Sequence, residues 1–388
     1  MATVSLWQRP PTVEADVVIV GGGVIGTATA WALRRLAPDL RVAILEAERL
    51  AHGASGRNAG FLLLGTASDY ASAVERYGRD AARRIRAFTA EAFRLAADVG
   101  RRRAVGFQTT GAVIAGSDSD EADRLRQSRA LLAEDGVETE WWDPADLDGG
   151  IGAVGFEGAL FVPEGGAIDP ARLVRALADE SHAEVHTGWR AAHVESDAGR
   201  VRLKAEGGGE AVADRVLLAT NAYLPTLVPA LAHVVRPVRA QMLATAPVLP
   251  TLPVPVYSHE GYYYVRQRAD GRVLLGGARH LHRDAEVGYE DATTDALQTS
   301  LRDYLTAHFP ALADAPVERR WSGTMGFSPD GLPVLGPVPG VEGAQFAAGF
   351  TGHGMGYALR FGELAARTLL GEPDSASDLF HSSRVTRR

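Results

Sequence analysis

A glycine-rich turn near the start of the chain constrains its fold most strongly. Residues 17–26 read VVIVGGGVIG, and a helical pattern follows over residues 27–36. Gly21 permits a tight turn after the strand, Gly23 leaves room for a pyrophosphate against the backbone, and Gly26 allows close helix packing. The N-terminus of the helix then points its free N–H groups and positive dipole end at the phosphates. The pattern predicts a Rossmann-like βαβ unit that binds a dinucleotide.

An acidic residue ends the second strand of this unit. Glu46 closes the run RVAILE, twenty positions after Gly26. A carboxylate at that distance suits a ribose 2′-hydroxyl and repels a 2′-phosphate, which favours FAD or NAD over NADP. The residues of this unit that we expect to contact the cofactor are Gly21, Gly23, Val24, Ile25, Gly26, Glu46 and Ala47.

The composition is typical of a globular chain long enough for two domains. Of its 388 residues, 46% are apolar and 23% charged, and the formal charge is −8. Residues 101–103 are the one basic run, which argues against nucleic acid as a partner. No segment is long enough to span a membrane, and residues 1–14 are polar and interrupted by proline. We therefore expect a cytoplasmic protein whose partners are small molecules.

Cysteine and lysine counts exclude several chemistries. The chain has no cysteine, so it has no disulfide, no thiolate nucleophile, no iron–sulfur site and no cysteinyl cofactor link. Lys204 is its one lysine and lies in a polar, predicted strand over residues 200–205. A Schiff-base mechanism would have to use that residue, which we expect to be exposed.

The remaining pattern alternates helices with two kinds of strand. Helical periodicity runs over residues 70–101 and again over 295–308. Residues 215–221 form an apolar run that ends in small polar residues, as expected of a buried parallel strand that carries a loop to a ligand. Residues 236–277 alternate as antiparallel strands, and residues 373–388 are expected to be loosely held.

Three further segments identify a family resemblance. They are GASGRNAG at residues 53–60, WSGTMG leading into DGLPVLG over 321–336, and AAGFTGHGMG at 347–356. Together with the dinucleotide turn, they resemble the D-amino-acid oxidase superfamily of FAD-dependent oxidoreductases. The similarity is to its glycine oxidase, sarcosine oxidase and γ-glutamylputrescine oxidase branch. The matching parts stand in the family's order from residue 15 to residue 384.

This resemblance implies an α/β fold with a discontinuous domain arrangement. A Rossmann-like FAD-binding domain is expected over residues 1–70, 152–228 and 325–388. An α+β substrate domain with a mainly antiparallel sheet is expected over residues 71–151 and 229–324. The cofactor implied is FAD, and no metal is expected.

The resemblance also assigns the remaining cofactor contacts. The loop at 53–60 passes the flavin diphosphate in this family and reaches the N5 edge of the ring. The helix that follows Gly349 can stabilise negative charge at flavin N1 and C2=O through its N-terminal dipole. Ala191 falls where relatives contact adenine. The residues assigned to the cofactor in these segments are Ser55, Arg57, Asn58, Ala59, Gly60, Ala191, Thr220, Asn221, Gly349, Gly352, His353, Gly354, Met355 and Gly356.

Three departures from the family pattern bear on the substrate. Met325 stands where glycine oxidase has its carboxylate-binding arginine, and Gly356 where sarcosine oxidases have a carboxylate-binding lysine. Leu275 aligns with the lysine that assists oxygen in those oxidases. Either the substrate is an amine without an α-carboxylate, or its carboxylate pairs with another arginine. The arginines considered for that role are Arg239, Arg266 and Arg279.

The resemblance implies oxidation of a C–N bond in an amine or amino acid. A neutral amine passes a hydride to flavin N5, water hydrolyses the imine, and oxygen reoxidises the flavin with release of hydrogen peroxide. Arg57 replaces a flavin-linking histidine of dimethylglycine-type relatives, so FAD is expected to be non-covalent, with His52 the nearest alternative attachment point. The residues expected to serve catalysis or substrate binding are Arg57, Tyr264, Arg266, Met325 and His353.

Two alternatives stay open from the sequence. One is a dehydrogenase that passes electrons to a quinone or a partner protein instead of oxygen, which the missing lysine at Leu275 favours. The other is a non-catalytic flavin-binding subunit, for which the intact loops at 53–60 and 349–356 offer no support.

Overall fold

The glycine-rich turn lies between a strand and a helix, as predicted. The computed structural model describes residues 12–386. It places β1 at Val13–Val20, α1 at Val24–Leu36 and β2 at Val42–Glu46. β1 and β2 pair in parallel, so the predicted βαβ unit is confirmed. The expectations for residues 1–11 and 387–388 lie outside the described residues.

The other elements follow in chain order. The strands are β3 (Phe61–Leu62), β4 (Gln108–Thr109), β5 (Ala112–Gly116), β6 (Glu140–Trp142), β7 (Gly158–Val162), β8 (Gly166–Ala167), β9 (Glu184–Thr187), β10 (Ala191–Asp197), β11 (Arg200–Ala205), β12 (Glu210–Leu218), β13 (Arg236–Thr245), β14 (Val256–Ser258), β15 (Tyr263–Gln267), β16 (Val273–Gly277), β17 (Val317–Phe327), β18 (Val334–Pro337) and β19 (Ala344–Ala348). The helices are α2 (Tyr70–Tyr77), α3 (Arg79–Arg102), α4 (Ser119–Glu134), α5 (Pro144–Ile151), α6 (Pro170–Ser181), α7 (Leu224–Leu227), α8 (Asp295–His308), α9 (Gly354–Leu370), α10 (Ser377–Phe380) and α11 (Ser383–Thr386).

Contacts within the chain group the described residues into two units. Unit 1 comprises residues 12–56, Pro170–Pro237 and 325–386. Unit 2 comprises Arg57–Asp169 and Val238–Thr324. Among the described residues, no helix is long and apolar enough to cross a membrane.

Unit 1 is built on a sheet whose central strands are parallel. The strand order is β10-β11-β12-β1-β2-β9, and β1 pairs in parallel with both β12 and β2. The end of β12, predicted as a buried strand from residue 215, pairs in parallel with β19. The carboxyl ends of β1, β2, β12 and β19 therefore lie at one edge of the sheet, where ligands bind in open α/β sheets.

Helix α1 is the centre of the helical layer of this unit. It packs against α6 and α9, and its residues Val24–Leu33 are buried. A Cβ at Gly362 of α9 would lie 2.6 Å from the Cβ of Ala28. Small residues on both helices thus allow their backbones to approach closely.

The C-terminal segment is well fixed, contrary to the expectation for residues 373–388. Phe380 is fully buried, and its ring packs at 5.9 Å from that of Tyr357 and 5.6 Å from that of Phe361. Arg384 forms an ion pair with Asp330 at 2.8 Å. The burial of Phe380 and the ion pair of Arg384, neither of which composition alone reveals, together hold the described part of this segment.

Unit 2 is built on a mainly antiparallel sheet. The strand order is β17-β13-β16-β15-β14-β5-β7-β6, in which β14 and β5 are parallel while β13–β16, β15–β16 and β5–β7 are antiparallel. Helix α8 has the predicted bounds and packs its residues Leu297, Leu301 and Leu305 into the core on one sheet face. The predicted fold class, an α/β unit plus an α+β unit with a mainly antiparallel sheet, is confirmed.

Local backbone chemistry explains where the structure differs from the predicted elements. The helix expected over residues 70–101 is two helices, α2 and α3, because Gly78 between them adopts φ +82°.

The boundaries of the two units differ from the predicted domain boundaries in three places. Residues 57–70 group with unit 2 because β3 pairs with β8, and residues 152–169 do so because β7 pairs with β5. Residues 229–237 group with unit 1, where Val234 and Val235 enter the core of the parallel sheet.

Candidate functional site

The turn after β1 has the backbone geometry that its glycines predict. Gly21 adopts φ +117°, and a Cβ there would lie 2.6 Å from the carbonyl oxygen of Ala219. A Cβ at Gly26 would lie 2.0 Å from the carbonyl oxygen of Gly21. Gly23 is the N-cap residue of α1, so no side chain of its own covers this helix end, where Val24 and Ile25 begin the first turn. The start of α1 thus has the open, small-residue form of an anion site.

Ser55 lies beside this helix end. Its Oγ accepts a hydrogen bond from the Val24 amide at 2.9 Å, and a Cβ at Gly23 would meet that Oγ at 3.0 Å. Ser55 belongs to a single 3₁₀ turn, Ala54–Gly56. The residue predicted to bind the cofactor therefore also satisfies one backbone donor of α1 and fixes the loop against it.

The Glu46 carboxylate forms hydrogen bonds that stabilise the glycine turn after β1. Its Oε2 accepts from the Gly22 amide at 2.7 Å, and its Oε1 accepts from the Glu48 amide at 2.9 Å. Each carboxylate oxygen has a second acceptor position, which leaves capacity for a ribose hydroxyl. The Trp189 amide donates to the Glu46 carbonyl at 2.9 Å, so the chain passes Glu46 just before β10 begins at Ala191. Ala47, Glu46 and Ala191 are half-buried.

Thr220 and Asn221 follow β12 and differ in what they contact. The Asn221 Oδ1 accepts from the Gly349 amide at 3.0 Å, which ties the loop after β19 to the loop after β12. The Thr220 Oγ1 is buried and has no hydrogen-bond partner among the described residues 12–386. Because a buried hydroxyl is costly to leave unpaired, Thr220 is the better ligand candidate of the two.

The loop after β19 leads into α9 as predicted. Gly349 and Gly352 adopt φ +75° and +76°. His353 is the N-cap residue of α9, and its buried ring lies 5.8 Å from that of Tyr357 in an edge-on arrangement. The first turn, which contains Gly354, Met355 and Gly356, has no acidic residue. Its positive dipole end is therefore not neutralised by a side chain of that turn.

Met325 lies next to this loop. A Cβ at Gly352 would be 3.4 Å from the Met325 sulfur, which is an ordinary van der Waals contact. The side chain is half-buried at the end of β17. The position aligned with the carboxylate-binding arginine of glycine oxidase thus carries an uncharged group that packs on the glycine loop.

In unit 2, the loop that starts at Arg57 is held by side-chain and backbone contacts. Arg57 Nη1 donates to Asp291 at 2.7 Å and to the Ser322 carbonyl at 2.8 Å. The Asn58 Oδ1 accepts from the Gly60 amide at 2.7 Å. Trp321, which the sequence analysis names only as part of the motif at 321–336, donates its indole N–H to the Arg57 carbonyl at 2.9 Å. These contacts hold the loop in place and give Arg57 an acidic partner.

One face of the unit 2 sheet brings aromatic and small apolar side chains together. We call it the Tyr264 face, and its members are Ala59, Phe61, Met242, Ala244, Tyr257, Tyr264, Leu274 and Trp321. The rings of Phe61, Tyr257 and Tyr264 lie 6.2–6.4 Å apart. Burial raises the pKa of Tyr257 to about 12 and raises that of Tyr264 further, so both phenols stay neutral at physiological pH. Phe61 and Tyr257 were not predicted, because neither belongs to a recognisable motif.

Arg266 lies on the same strand face as Tyr264. The two residues are separated by one position in β15, and side chains alternate between the faces of a strand. Arg266 is 5% exposed, and its Nη2 donates to the Ile168 carbonyl at 3.0 Å. The Ile168 amide in turn donates to the Gly60 carbonyl at 2.9 Å. The structure thus brings three predicted residues, Tyr264, Arg266 and Gly60, into one region of unit 2.

Arg239, one of the three arginines considered as a carboxylate anchor, already binds carboxylates of the protein itself. Its Nε and Nη2 donate to the two oxygens of buried Glu286 at 3.1 Å each, and its Nη1 donates to Glu290 at 3.1 Å. The alternation of β13 places Arg239 on the face of Leu243, which packs with α8. Arg239 is therefore a structural ion-pair residue. The third candidate, Arg279, lies over the ring of Tyr262 at 5.0 Å.

Leu275 also lies on the α8 face. It is fully buried in the core with Leu297 and Leu301, while the preceding residue, Leu274, belongs to the Tyr264 face. A shift of one position in a strand moves a side chain to the opposite face. Leu275 is therefore a core residue on the α8 side of the sheet, and the choice between oxygen and another electron acceptor stays a prediction.

The donor set of unit 1 fits a dinucleotide cofactor. The turn has glycine at each close backbone approach, α1 starts without an N-cap side chain, and Thr220 holds a buried hydroxyl that has no partner. Glu46 has acceptor capacity left for a ribose. In the described part of the chain, no group of three or more His, Asp or Glu side chains could hold a metal ion.

Comparison with known proteins gives the family. The model of the FAD dependent oxidoreductase family matches residues 16–368. The chain is 30% identical to a glycine oxidase of Pseudomonas aeruginosa over 357 residues, which cover 87% of this chain and 90% of that protein. It is 28% identical to a probable oxidoreductase OrdL of Rhizobium meliloti and 26% identical to gamma-glutamylputrescine oxidoreductase of Escherichia coli, each over 94% of this chain and 85% of that protein.

Solved structures agree on the fold. Glycine oxidase from Geobacillus kaustophilus superposes with a TM-score of 0.82 at 23% identity, covering 97% of this chain and all of that one. L-proline dehydrogenase from P. horikoshii superposes with a TM-score of 0.81 at 21% identity, over 97% of this chain and 99% of that one. With its family model matched over most of its length, the chain belongs to the FAD dependent oxidoreductase family, and its cofactor is FAD.

Proposed function

We propose that the protein oxidises a C–N bond of an amine or amino acid and uses oxygen as the electron acceptor. The observation that carries the proposal is the Tyr264 face, a half-buried aromatic surface of unit 2. Beside it on β15 lies Arg266, which donates to the Ile168 carbonyl, and the Ile168 amide donates to the Gly60 carbonyl. The names of the relatives support the substrate class. Glycine oxidase, gamma-glutamylputrescine oxidoreductase and a 4-methylaminobutanoate oxidase of Paenarthrobacter nicotinovorans all act on amino compounds.

The side chains of the Tyr264 face suit a reaction that needs no proton acceptor from the protein. Tyr257 and Tyr264 have raised pKa values and stay protonated at neutral pH, so neither acts as a general base there. The other members of the face are apolar. A neutral amine is the form that such a surface accepts, because an ammonium ion would have to be desolvated without a counter-ion.

Unit 1 supplies the binding of the cofactor. The start of α1 and the glycine turn would hold the pyrophosphate, Glu46 a ribose, and Thr220 a polar group near the end of β12. The start of α9 would lower the energy of negative charge nearby through its dipole. When bound, FAD supplies the two-electron oxidation, in which a hydride leaves the α-carbon of the substrate and oxygen later takes the electrons as hydrogen peroxide.

The experiment is an aerobic screen of amines and amino acids with the FAD-loaded protein. Oxygen uptake, hydrogen peroxide and the carbonyl product of imine hydrolysis are measured together. We expect all three in equal amounts for at least one compound, and none with the same protein stripped of FAD. Carbonyl product that forms only when a quinone or dye is added would identify the dehydrogenase alternative instead. No carbonyl with any acceptor would refute the proposal.

We further propose that FAD is held without a covalent bond. The chain has no cysteine, and Arg57 stands where relatives attach the flavin through histidine. Acid precipitation should leave the yellow colour in the supernatant. A yellow pellet would contradict this, and His52 would then be the first attachment site to test.

A further inference from the structure

Arg266 differs from the other arginines in the interior of the described chain. Arg86, Arg239 and Arg360 are also buried, and each pairs with a carboxylate, at 2.7, 3.1 and 2.8 Å respectively. Arg266 is 5% exposed and forms no ion pair with any residue between 12 and 386. Burying a cation without a counter-ion costs free energy of desolvation, and protein interiors rarely contain one unless a ligand supplies the counter-ion.

The hydrogen bonds of Arg266 are incomplete as well. Nη2 donates to the Ile168 carbonyl, but Nε is buried and has no partner within the part of the chain that the structure describes. Burial and, to a smaller extent, the nearby charge of Arg268 together lower the pKa of Arg266 to about 10, while Asp169 and Asp270 partly oppose the shift. The guanidinium nevertheless remains charged at neutral pH. It has the positive charge and the unused donor capacity that bind a carboxylate.

Arg266 lies close to residues that we expect at the reaction site. Its partner Ile168 also donates to the carbonyl of Gly60, and Gly60 is one of the residues that the family resemblance leads us to expect at the reactive edge of the flavin. Tyr264 stands two residues before Arg266 on the same strand face, and Leu274 pairs with Arg266 across β16. The neighbours of the guanidinium on this face are thus a phenol and an apolar side chain.

We propose that Arg266 is the residue that binds a carboxylate of the substrate. This inference rests on the proposed function and narrows it: the substrate is an amino acid, or an amine that carries a carboxylate, in preference to a simple amine. Met325 and Gly356 are uncharged at the family's usual carboxylate positions, and Arg239 is fully engaged with Glu286 and Glu290. The substrate carboxylate would bind to Arg266 on the side of the sheet that carries the Tyr264 face.

The first test uses non-reactive carboxylates, so that it does not depend on turnover. The FAD-loaded protein is titrated with acetate, propionate and butyrate, and with the corresponding neutral amides. Binding is followed by the flavin absorbance and by the unfolding temperature. We expect carboxylates to bind at least tenfold more tightly than their amides and to raise the unfolding temperature. Equal binding of acids and amides, or no binding of any acid, would overturn the inference.

The second test compares variants at neighbouring arginines. Arg266→Met removes the charge and keeps the length of the side chain, whereas Arg266→Lys keeps the charge. Arg268→Met is the matched control, because Arg268 lies two residues further along and is more exposed. We expect carboxylate affinity to fall at least tenfold in Arg266→Met, to recover in part in Arg266→Lys, and to change less than twofold in Arg268→Met. An Arg266→Met protein that binds carboxylates within twofold of wild type contradicts the proposal.

The two proposals fail in different ways. If carboxylates bind through Arg266 but no amino compound is oxidised, the proposed function is wrong, while the assignment of Arg266 as the carboxylate-binding residue is retained. If an amine without a carboxylate is oxidised as efficiently as its amino-acid counterpart, the anchor is wrong and the function stands. Should Arg266→Met not fold, the comparison of acids with amides in wild type and in Arg266→Lys still decides.

Discussion

Ser55 accepts a hydrogen bond from the amide of Val24 at 2.9 Å, which joins the loop after β2 to the first turn of α1. Glu46 makes a similar contact with the amide of Gly22. Both residues were predicted as cofactor ligands, and in the structure both also hold the turn in shape. Substitutions at such residues should therefore affect the stability of the protein without FAD as well as its affinity for FAD.

Glu46→Ala should weaken FAD binding by about 1.5–3 kcal/mol, the usual value of a hydrogen bond to a charged group. It should also destabilise the FAD-free protein, because the amides of Gly22 and Glu48 lose their acceptor. Glu46→Gln keeps one acceptor oxygen, so its FAD affinity and its stability should lie between those of wild type and Glu46→Ala. FAD titration and urea unfolding measure the effects, with exposed Glu48→Ala as the control. Unchanged FAD affinity in Glu46→Ala would exclude Glu46 as the ribose ligand.

Thr220→Val should weaken FAD binding without destabilising the FAD-free protein. Its hydroxyl is buried without a partner, so replacing it with a methyl group should leave the FAD-free protein as stable as wild type or more stable. If the hydroxyl pairs with the cofactor, FAD affinity should fall by about 0.5–1.5 kcal/mol. Thr220→Ser should retain the affinity. Equal FAD affinity in all three proteins would show that Thr220 makes no contact with FAD.

Arg239→Met should destabilise the protein by about 3–5 kcal/mol, because it leaves the carboxylate of Glu286 buried without its partner. The comparison variant is Arg272→Met, which breaks an exposed ion pair with Glu318 and should cost no more than about 1 kcal/mol. Chemical denaturation measures both. A stability of Arg239→Met close to that of Arg272→Met would contradict a structural role for the Arg239–Glu286 pair.

The histidines behind the unit 2 sheet should make the protein sensitive to acid. Burial lowers the pKa of His280 to about 4 and also lowers those of His259 and His308. In the unfolded chain a histidine titrates near about 6.5, so the unfolded state binds more protons between that pH and the folded pKa. The free energy of unfolding should therefore fall as the pH drops from about 6.5 to about 4. His280→Phe should reduce this slope in unfolding measured at several pH values, and an identical slope would exclude His280 as a contributor.

The elements that sequence reasoning predicted well are those fixed by local chemistry. The glycine turn requires its own backbone angles, and α8 has the predicted bounds because its apolar residues repeat at helical spacing. The face of a strand residue was harder to predict. Leu274 and Leu275 are both apolar and buried, so only the pairing of β15 with β16 shows which of them lies beside Arg266.

Ion pairs between distant residues were beyond the reach of sequence patterns. Arg239 and Glu286 are 47 positions apart, and nothing in either segment indicates that they meet. The same holds for Arg57 and Asp291, which are 234 positions apart. Of the three candidate arginines, only the structure could separate Arg239, which has acidic partners, from Arg266, which lacks one.

Reduction of the bound flavin by an amino compound is measured by anaerobic titration. The FAD-loaded protein is mixed without oxygen with each amine and amino acid of a panel, and the flavin absorbance is recorded. At least one compound that carries both an amino group and a carboxylate should bleach the flavin fully. Admission of air should then restore the colour with one hydrogen peroxide per flavin. A flavin that light can reduce but that no amino compound bleaches would exclude oxidation of amino compounds by this protein.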